Sequence, residues 1–422
     1  MDNKPKQQEG RVYYGWFVVL SSFLIYFSVI GSRGAFGNFI PYFIEHFHWT
    51  IKEISIAASL ALVVNALAQP VVGYAVNRWG PRKTILWGTL FYGASTASLS
   101  LISELWQLYL IFGVLMGLFW STSSNVSNAS LVSRWFVKKR GLALGLSTSG
   151  MATGIFVVVP LSMYLILQFG WRPAFATLGF IVLGISLPLA FKFMKNNPAD
   201  IGLFPDGNVA ANPGDPVKKG NITSVDTRRI SLRQAMRTRP FWHLLGGFFV
   251  CGFTALMSST FLVPMAIHKG FHPMVAAQAA GLLGGASALG IWIGGYVSDF
   301  IGRKRPLAAF YFLRGVGFLI LLAAHNEPTL YLAAFVIGFG NFGTAPLTSG
   351  LVADIYGVLS MGTILGLINM SHQMGGAISS YITGAVVQAT GSYEMPFLLG
   401  VLLLFAASIL SITIKEKRLE HG

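Results

Sequence analysis

Two short basic turns, 222 residues apart, constrain this chain more than any other feature. The first is Gly73-Tyr-Ala-Val-Asn-Arg-Trp-Gly-Pro-Arg-Lys83 and the second is Gly295-Tyr-Val-Ser-Asp-Phe-Ile-Gly-Arg-Lys304. Each closes one long apolar segment and opens the next, so each reads as a tight turn between two helices, with glycine allowing the sharp reversal. Gly73 and Gly295, Asn77 and Asp299, and Gly80 and Gly302 all share the offset of 222. Leu108-Tyr-Leu recurs at Leu330-Tyr-Leu with the same offset, and Gly141 and Gly145 answer Gly362 and Gly366 at 221. Trp171 to Phe175 answers Tyr393 to Phe397. One half is repeated, and parallel halves of this kind place a binding site at the midplane between them.

Only 11% of the 422 residues are charged and the mean hydropathy is +0.62. Soluble proteins carry about 25% charged residues, so this chain is built for lipid. The net charge of +15 does not indicate nucleic acid, because the basic residues fall in short gaps between apolar stretches rather than on one solvated face. Cys251 is the single cysteine and lies inside an apolar stretch, so neither a disulfide framework nor a metal-site spacing exists. The polar start, Met1 to Gly10, leads into an apolar stretch too long for a signal peptide, and an uncleaved first helix is expected.

A helix needs about 20 apolar residues to cross a bilayer, and twelve such segments are legible. The first six are Tyr14–Phe43, Ile54–Val76, Thr84–Ile102, Leu105–Val132, Gly141–Gln168 and Pro173–Phe193. The second six are Phe241–Ile267, Val275–Val297, Pro306–Ala324, Thr329–Ala353, Leu359–Gln388 and Pro396–Ile414. Residues 1–194 are expected to form one bundle, 240–422 a second, and the polar stretch 195–239 a linker, with a short surface helix around Ser231–Arg237. An even number of spans puts both termini, the linker and both basic turns on one side. That side carries 25 of the 30 Lys and Arg, including Lys4, Lys6, Arg11, Lys218, Lys219, Arg228, Arg229, Lys417 and Arg418, so it is expected to be cytoplasmic.

Ionisable residues at depth are functional candidates. All fifteen acidic residues lie in loops, tails or helix ends, which leaves Arg33, Arg314 and His372. Arg33 stands in Gly31-Ser-Arg-Gly-Ala-Phe-Gly37, with no acid at its depth. Its guanidinium stays charged, and an anionic substrate would supply the counter-charge, a carboxylate matching its planar fork. Arg314, on the ninth segment, is expected to bond carbonyls or reach the interface. His372 carries an imidazole suited to proton transfer and shares a polar helix face with Asn369 and Gln373. Asn65 and Gln69 mark the second segment, Ser121 to Ser124, Asn125 and Asn128 the fourth, Ser258 to Thr260 the seventh, and Asn341 with Phe342 the tenth. The Gly-x-x-x-Gly spacings at Gly113/Gly117, Gly141/Gly145 and Gly150/Gly154 are expected to be packing contacts.

The repeated pattern Gly-x-x-x-Asp/Asn-x-x-Gly-(Pro)-Arg-Lys resembles the signature loop of the major facilitator superfamily. That resemblance implies an all-α membrane protein, with twelve transmembrane helices in two pseudo-symmetric six-helix bundles. It also implies gating roles for Asn77, Arg78 and Arg82 in the first turn and Asp299, Arg303 and Lys304 in the second. Asn77 stands where Asp is usual, so the first latch should be the weaker. Tyr13-Tyr-Gly-Trp-Phe-Val-Val19, Arg33-Gly-Ala-Phe-Gly with Pro41, Arg134-Trp-Phe…Lys139-Arg-Gly-Leu-Ala143 and Ser298-Asp-Phe-Ile-Gly-Arg303 are similar to the monocarboxylate and oxalate:formate antiporter branch. In that branch small carboxylates bind between the halves. The resemblance puts Ile291 at the branch's eighth-span arginine, His372 at the eleventh-span lysine of oxalate carriers, and Asn125 at a fourth-span tyrosine.

The resulting expectation is a secondary transporter of a small organic anion in the bacterial cytoplasmic membrane, working by alternating access. Arg33 binds a carboxylate, and Asn125, Asn341, Phe342, His372 and Gln373 complete the site. Protons are the expected coupling ion, carried on His372 or with the substrate, since one anion with one proton avoids about 2.3 kcal/mol per charge per 100 mV. No nucleotide-binding loop indicates ATP; no cofactor, metal or nucleic acid is expected, and a monomer is. Efflux of drugs or amphipathic compounds is the alternative, as Gly145 to Pro160 weakly resembles an antiporter Gly/Pro motif. A membrane sensor would need an output domain, and an enzyme a nucleophile–base pair; neither is legible.

Overall fold

A computed structural model describes residues 13–205 and 230–416. Within them the chain forms twelve long helical rods. The first six are α1 (Gly15–Phe47), α2 (Ile51–Trp79), α3 (Pro81–Ser98), α4 (Leu105–Trp135), α5 (Arg140–Phe169) and α6 (Trp171–Phe193). The second six are α7 (Arg239–His268), α8 (Pro273–Ile301), α9 (Lys304–Leu322), α10 (Glu327–Tyr356), α11 (Met361–Thr390) and α12 (Glu394–Ile412). The expected residues Met1–Gly10, Lys218, Lys219, Arg228, Arg229, Lys417 and Arg418, with Arg11, lie outside the described residues. Ten of the twelve are long and apolar enough to cross a membrane; α3 and α11 fall short on apolarity. For α11 the reason is its neighbours. It is packed between α7 and α2, so polar residues cost it little.

The duplicated turns are built alike. α2 runs to Trp79, Gly80 takes φ +85°, and Pro81 opens α3 at once. α8 runs to Ile301 and Gly302 takes φ +81° before α9. Only glycine adopts that backbone freely, and proline is preset for a helix's first turn. Asn196 Oδ1 accepts the Arg82 amide at 3.0 Å. In the second half Glu416 Oε1 accepts the Arg303 and Lys304 amides at 2.9 and 2.7 Å.

The two halves meet along α2–α11 and α5–α8. A Cβ on Gly73 would overlap the Gly362 carbonyl, and one on Gly295 the Gly141 carbonyl. The repeat residues are therefore cross-paired, each half's turn glycine lying on the other half's helix. Beyond these crossings the rods diverge. Gly281, Gly284 and Gly285 of α8 and Gly384 of α11 have nothing within 4 Å of a Cβ position. The molecule is closed at the end bearing the basic turns, the basic end, and parted toward the other.

Four rods are interrupted, α6 by a π-helical stretch over Val182–Ser186. α1 is 3-10 helical over Ala35–Phe39, after the glycines around Arg33 and before Pro41. α4 contains a π-helical stretch, Tyr109–Met116, and breaks between Thr122 and Asn125. α10 breaks between Phe339 and Thr344. The stretch after α6 is not free of the bundle: Trp135 Nε1 donates to Lys195 O at 3.0 Å and Tyr13 Oη to Phe204 O at 2.9 Å. Further on, Leu232–Met236 forms the short helix, opened by a Ser231/Gln234 capping box.

Candidate functional site

Arg33 occupies the last turn of the first α-helical stretch of α1, eighteen residues from Gly15, about 27 Å of helix from the basic end. Its side chain is half-buried, with Cζ 3.8 Å from the centroid of the Trp120 ring on α4. Cation–π contact holds the fork without neutralising it. Among the described residues no carboxylate pairs with Arg33 and no acceptor hydrogen-bonds it.

Closer to the basic end lies a layer of uncharged amides. Asn65 Oδ1 on α2 accepts from Gln69 Nε2 at 3.2 Å and from Gln373 Nε2 on α11 at 2.6 Å. Ser124, at the α4 break, donates to Gln69 Oε1 at 3.1 Å, and Asn65 Nδ2 donates to Gly117 O at 3.3 Å. The layer ties α2 and α4 of one half to α11 of the other. Asn125 crosses the halves too, donating from Nδ2 to Ser349 Oγ on α10 at 2.8 Å, while its Oδ1 is buried without a partner. The backbone carbonyls freed by the α4 break are taken up locally: Asn128 Nδ2 donates to Ser123 O at 2.9 Å and Ser124 O at 3.3 Å.

On the second half, the half-buried His372 ring lies 4.7 Å from that of Phe248. Asn341 and Phe342 form the α10 break; Phe342 is half-buried, and Asn341 is buried with neither side-chain polar atom paired. Arg314 is wholly buried and does not reach the interface; it donates to carbonyls of that break. No hydrogen bond or ring contact joins Arg33 to His372 or Gln373. Ile291 is buried beside Gly145 of α5.

At the basic end, Asp299 accepts the Gly141 and Leu142 amides at 2.7 and 2.9 Å, capping the N-terminus of α5 across the halves. Asn77 does the same for α11, accepting the Gly362 amide at 3.0 Å and donating to Thr363 Oγ1 at 2.7 Å. A carboxylate at a helix N-terminus gains from the helix dipole, and an amide does not. Asp354 of α10 pairs with Arg140 of α5 across the halves and with Arg303 at 2.9 Å within its own. The side chains of Arg78 and Arg82 stay within the first half, on Tyr74 Oη at 2.8 Å and Phe191 O at 3.1 Å. Lys304 engages Glu416 through its backbone.

Trp120, Ser349, Thr363 and Asp354 were not singled out by the sequence reading. Each is an ordinary residue type for its helix, and only the packing of the two halves gives it a partner.

The sequence profile of the Major Facilitator Superfamily matches residues 22–299 and 284–421. The chain belongs to the Major Facilitator Superfamily. Among curated relatives, it is 27% identical to "Uncharacterized MFS-type transporter YcxA" of Bacillus subtilis (strain 168), covering 90% of each chain. It is also 27% identical to "Monocarboxylate transporter 13" of Rattus norvegicus, over 95% of this chain and 89% of that one. "Monocarboxylate transporter 11" of Homo sapiens is 27% identical, over 94% and 82%. The fold is similar to that of the human organic anion transporter MFSD10 (TETRAN), with a TM-score of 0.72 at 14% identity, covering 94% and 99%. It is likewise similar to FucP, described as a superfamily transporter in the outward conformation, with a TM-score of 0.69 at 17% identity, covering 94% and 97%. The protein is thus a multi-pass membrane transporter of the major facilitator fold and resembles the monocarboxylate transporters.

Proposed function

We propose that this transporter carries a small organic anion of the monocarboxylate class by alternating access, with protons as the coupling ion. The observation that carries the reading is the Arg33 guanidinium, held on Trp120 without an acidic partner among the described residues. A fixed, unneutralised charge at depth is costly unless its counter-ion is a ligand. The names of the monocarboxylate and organic anion transporters it resembles agree with an anion. Gln373, Asn125, Asn341 and Phe342 complete the site, and His372 is the proton carrier. The basic end faces the cytoplasm of a bacterial cell, and Asp299, Arg303, Asp354 and Asn77 latch it while the site opens outward.

The test is a thermal-shift screen of purified protein against acetate, lactate and benzoate at two pH values, repeated with Arg33→Ala and followed by uptake in proteoliposomes. Stabilisation by a carboxylate, lost in Arg33→Ala, is expected. Stabilisation that survives Arg33→Ala, or that comes only from hydrophobic cations, overturns the anion site in favour of efflux of amphipathic compounds.

A further inference from the structure

Arg314 lies ten residues into α9, and His372 eleven residues into α11, so both stand about 15 Å from the basic end. The Arg314 side chain has no exposed surface. Its Nε and Nη2 donate to Gly340 O at 3.2 and 2.6 Å, and Nη2 also donates to Asn341 O. Nη1 donates to Thr254 Oγ1 at 3.0 Å and to Cys251 O at 3.4 Å, joining α7 to the α10 break. The Gly340 and Asn341 carbonyls lie at the end of the helix Glu327–Phe339, whose dipole is negative there. That explains how a buried cation persists without a carboxylate, since among the described residues none pairs with it. Carbonyl dipoles disperse a unit charge without cancelling it, and a guanidinium does not shed its proton.

A second observation points to a ligand. Asn341, whose carbonyl Arg314 grips, is 1% exposed, yet both Oδ1 and Nδ2 lack partners. Leaving both polar atoms of a buried amide unpaired is costly, and such a group is ready for an incoming polar atom. On the other flank of Arg314, Cys251 Sγ lies 3.7 Å from Nη1 and 3.0 Å from Thr344 Oγ1.

We infer that Arg314 is a positioning residue that makes the site select anions over neutral ligands. Its guanidinium fixes the α10 break with the Asn341 amide unpaired and places on the second half, nearer the basic end than Arg33, a positive charge that no described carboxylate pairs. In a low-dielectric interior that charge acts over several ångströms without touching the ligand. The inference rests on the anion-site reading of Arg33.

Three isosteric pairs test it: acetate and acetamide, lactate and lactamide, benzoate and benzamide, each titrated by thermal shift. With Arg314→Gln the preference for acid over amide is expected to fall about tenfold or more. Arg314→Lys keeps the preference. Asn341→Asp adds a carboxylate on the residue whose carbonyl Arg314 grips and should abolish the preference. A folded Arg314→Gln protein that keeps the preference, or loses acid and amide binding equally, overturns the inference. Should Arg314→Gln not fold, Arg314→Lys decides, and a lost preference overturns it. Arg33→Ala separates the two claims. If it abolishes carboxylate binding while Arg314→Gln leaves the preference intact, only the Arg314 inference fails. If it leaves carboxylate binding intact, the anion-site reading fails, and this inference with it.

Discussion

At the scale of single residues, the centre of this transporter holds a cation, Arg33, that no described carboxylate pairs. Arg33 has an aromatic face against it and no carboxylate partner among the described residues, so in the proposed site its contribution to binding depends on both fork and platform. A cation–π contact is worth about 0.5–2 kcal/mol. Trp120→Ala should therefore weaken carboxylate binding about 2- to 30-fold, whereas Trp120→Phe, which keeps a π-face, should cost less. Calorimetric titration distinguishes them, and equal losses would remove the ring from the account. Arg33→Lys keeps the charge and loses the bidentate geometry, so it should bind more weakly than the parent and better than Arg33→Ala. The candidate polar residues were legible because an Asn, Gln, His or Arg stands out in an apolar stretch. Trp120 was not, since a tryptophan in such a stretch is unremarkable until Arg33 is seen lying on it. The direction in which Arg314 reaches was hidden too, because which carbonyls are free depends on where α10 breaks.

At the scale of elements, paired crossings of helices set how closely the halves approach. Gly73 on Gly362 and Gly295 on Gly141 leave no room for a methyl group. Gly141→Ala or Gly295→Ala should push α5 from α8 and weaken the closed basic end. The Asp299 cap on α5 would loosen with it, and capping bonds are worth about 0.5–2 kcal/mol. An impermeant maleimide applied at the basic end, reading a cysteine placed at the buried Ser298 of the same crossing, should react faster in these variants; unchanged labelling would contradict the crossing's role. Asn77→Asp has the opposite sign. A carboxylate at the N-terminus of α11 gains about 0.3–1 kcal/mol from the helix dipole, and the Thr363 hydroxyl can turn to donate to it. The same labelling should slow, and transport should slow if reopening that end limits the cycle. The segment boundaries read from hydropathy were close to the helix ends. The 3-10 stretch of α1 and the π-helical stretch of α4 left no mark in periodicity, because they change hydrogen-bond register rather than composition. The docking of residues 195–205 on the first half was invisible as well: Asn196, Asn197 and Lys195 read as linker residues until their partners are in place.

At the scale of the whole molecule, the bonds between halves lie from the basic end to mid-depth, and the rods part beyond them. A cysteine at Gly284 should therefore be open to an impermeant maleimide from the opposite side, against a low background because Cys251 is buried. Asp354→Asn removes the carboxylate shared by Arg140 and Arg303 and should lower that labelling as the population shifts toward the inward-open form. Labelling that does not respond would mean the latch does not bias the two states. Sequence alone determined the membrane, the twelve rods, the duplication and the few residues whose polarity is out of place, because hydropathy and repeat offsets are local or additive along the chain. Tertiary structure alone decided which glycine crosses which, that Gln373 bonds Asn65 rather than a partner in its own half, and that Arg314 closes on the α10 break. Those contacts join residues up to 308 positions apart, and nothing in either stretch specifies the other until the two halves pack.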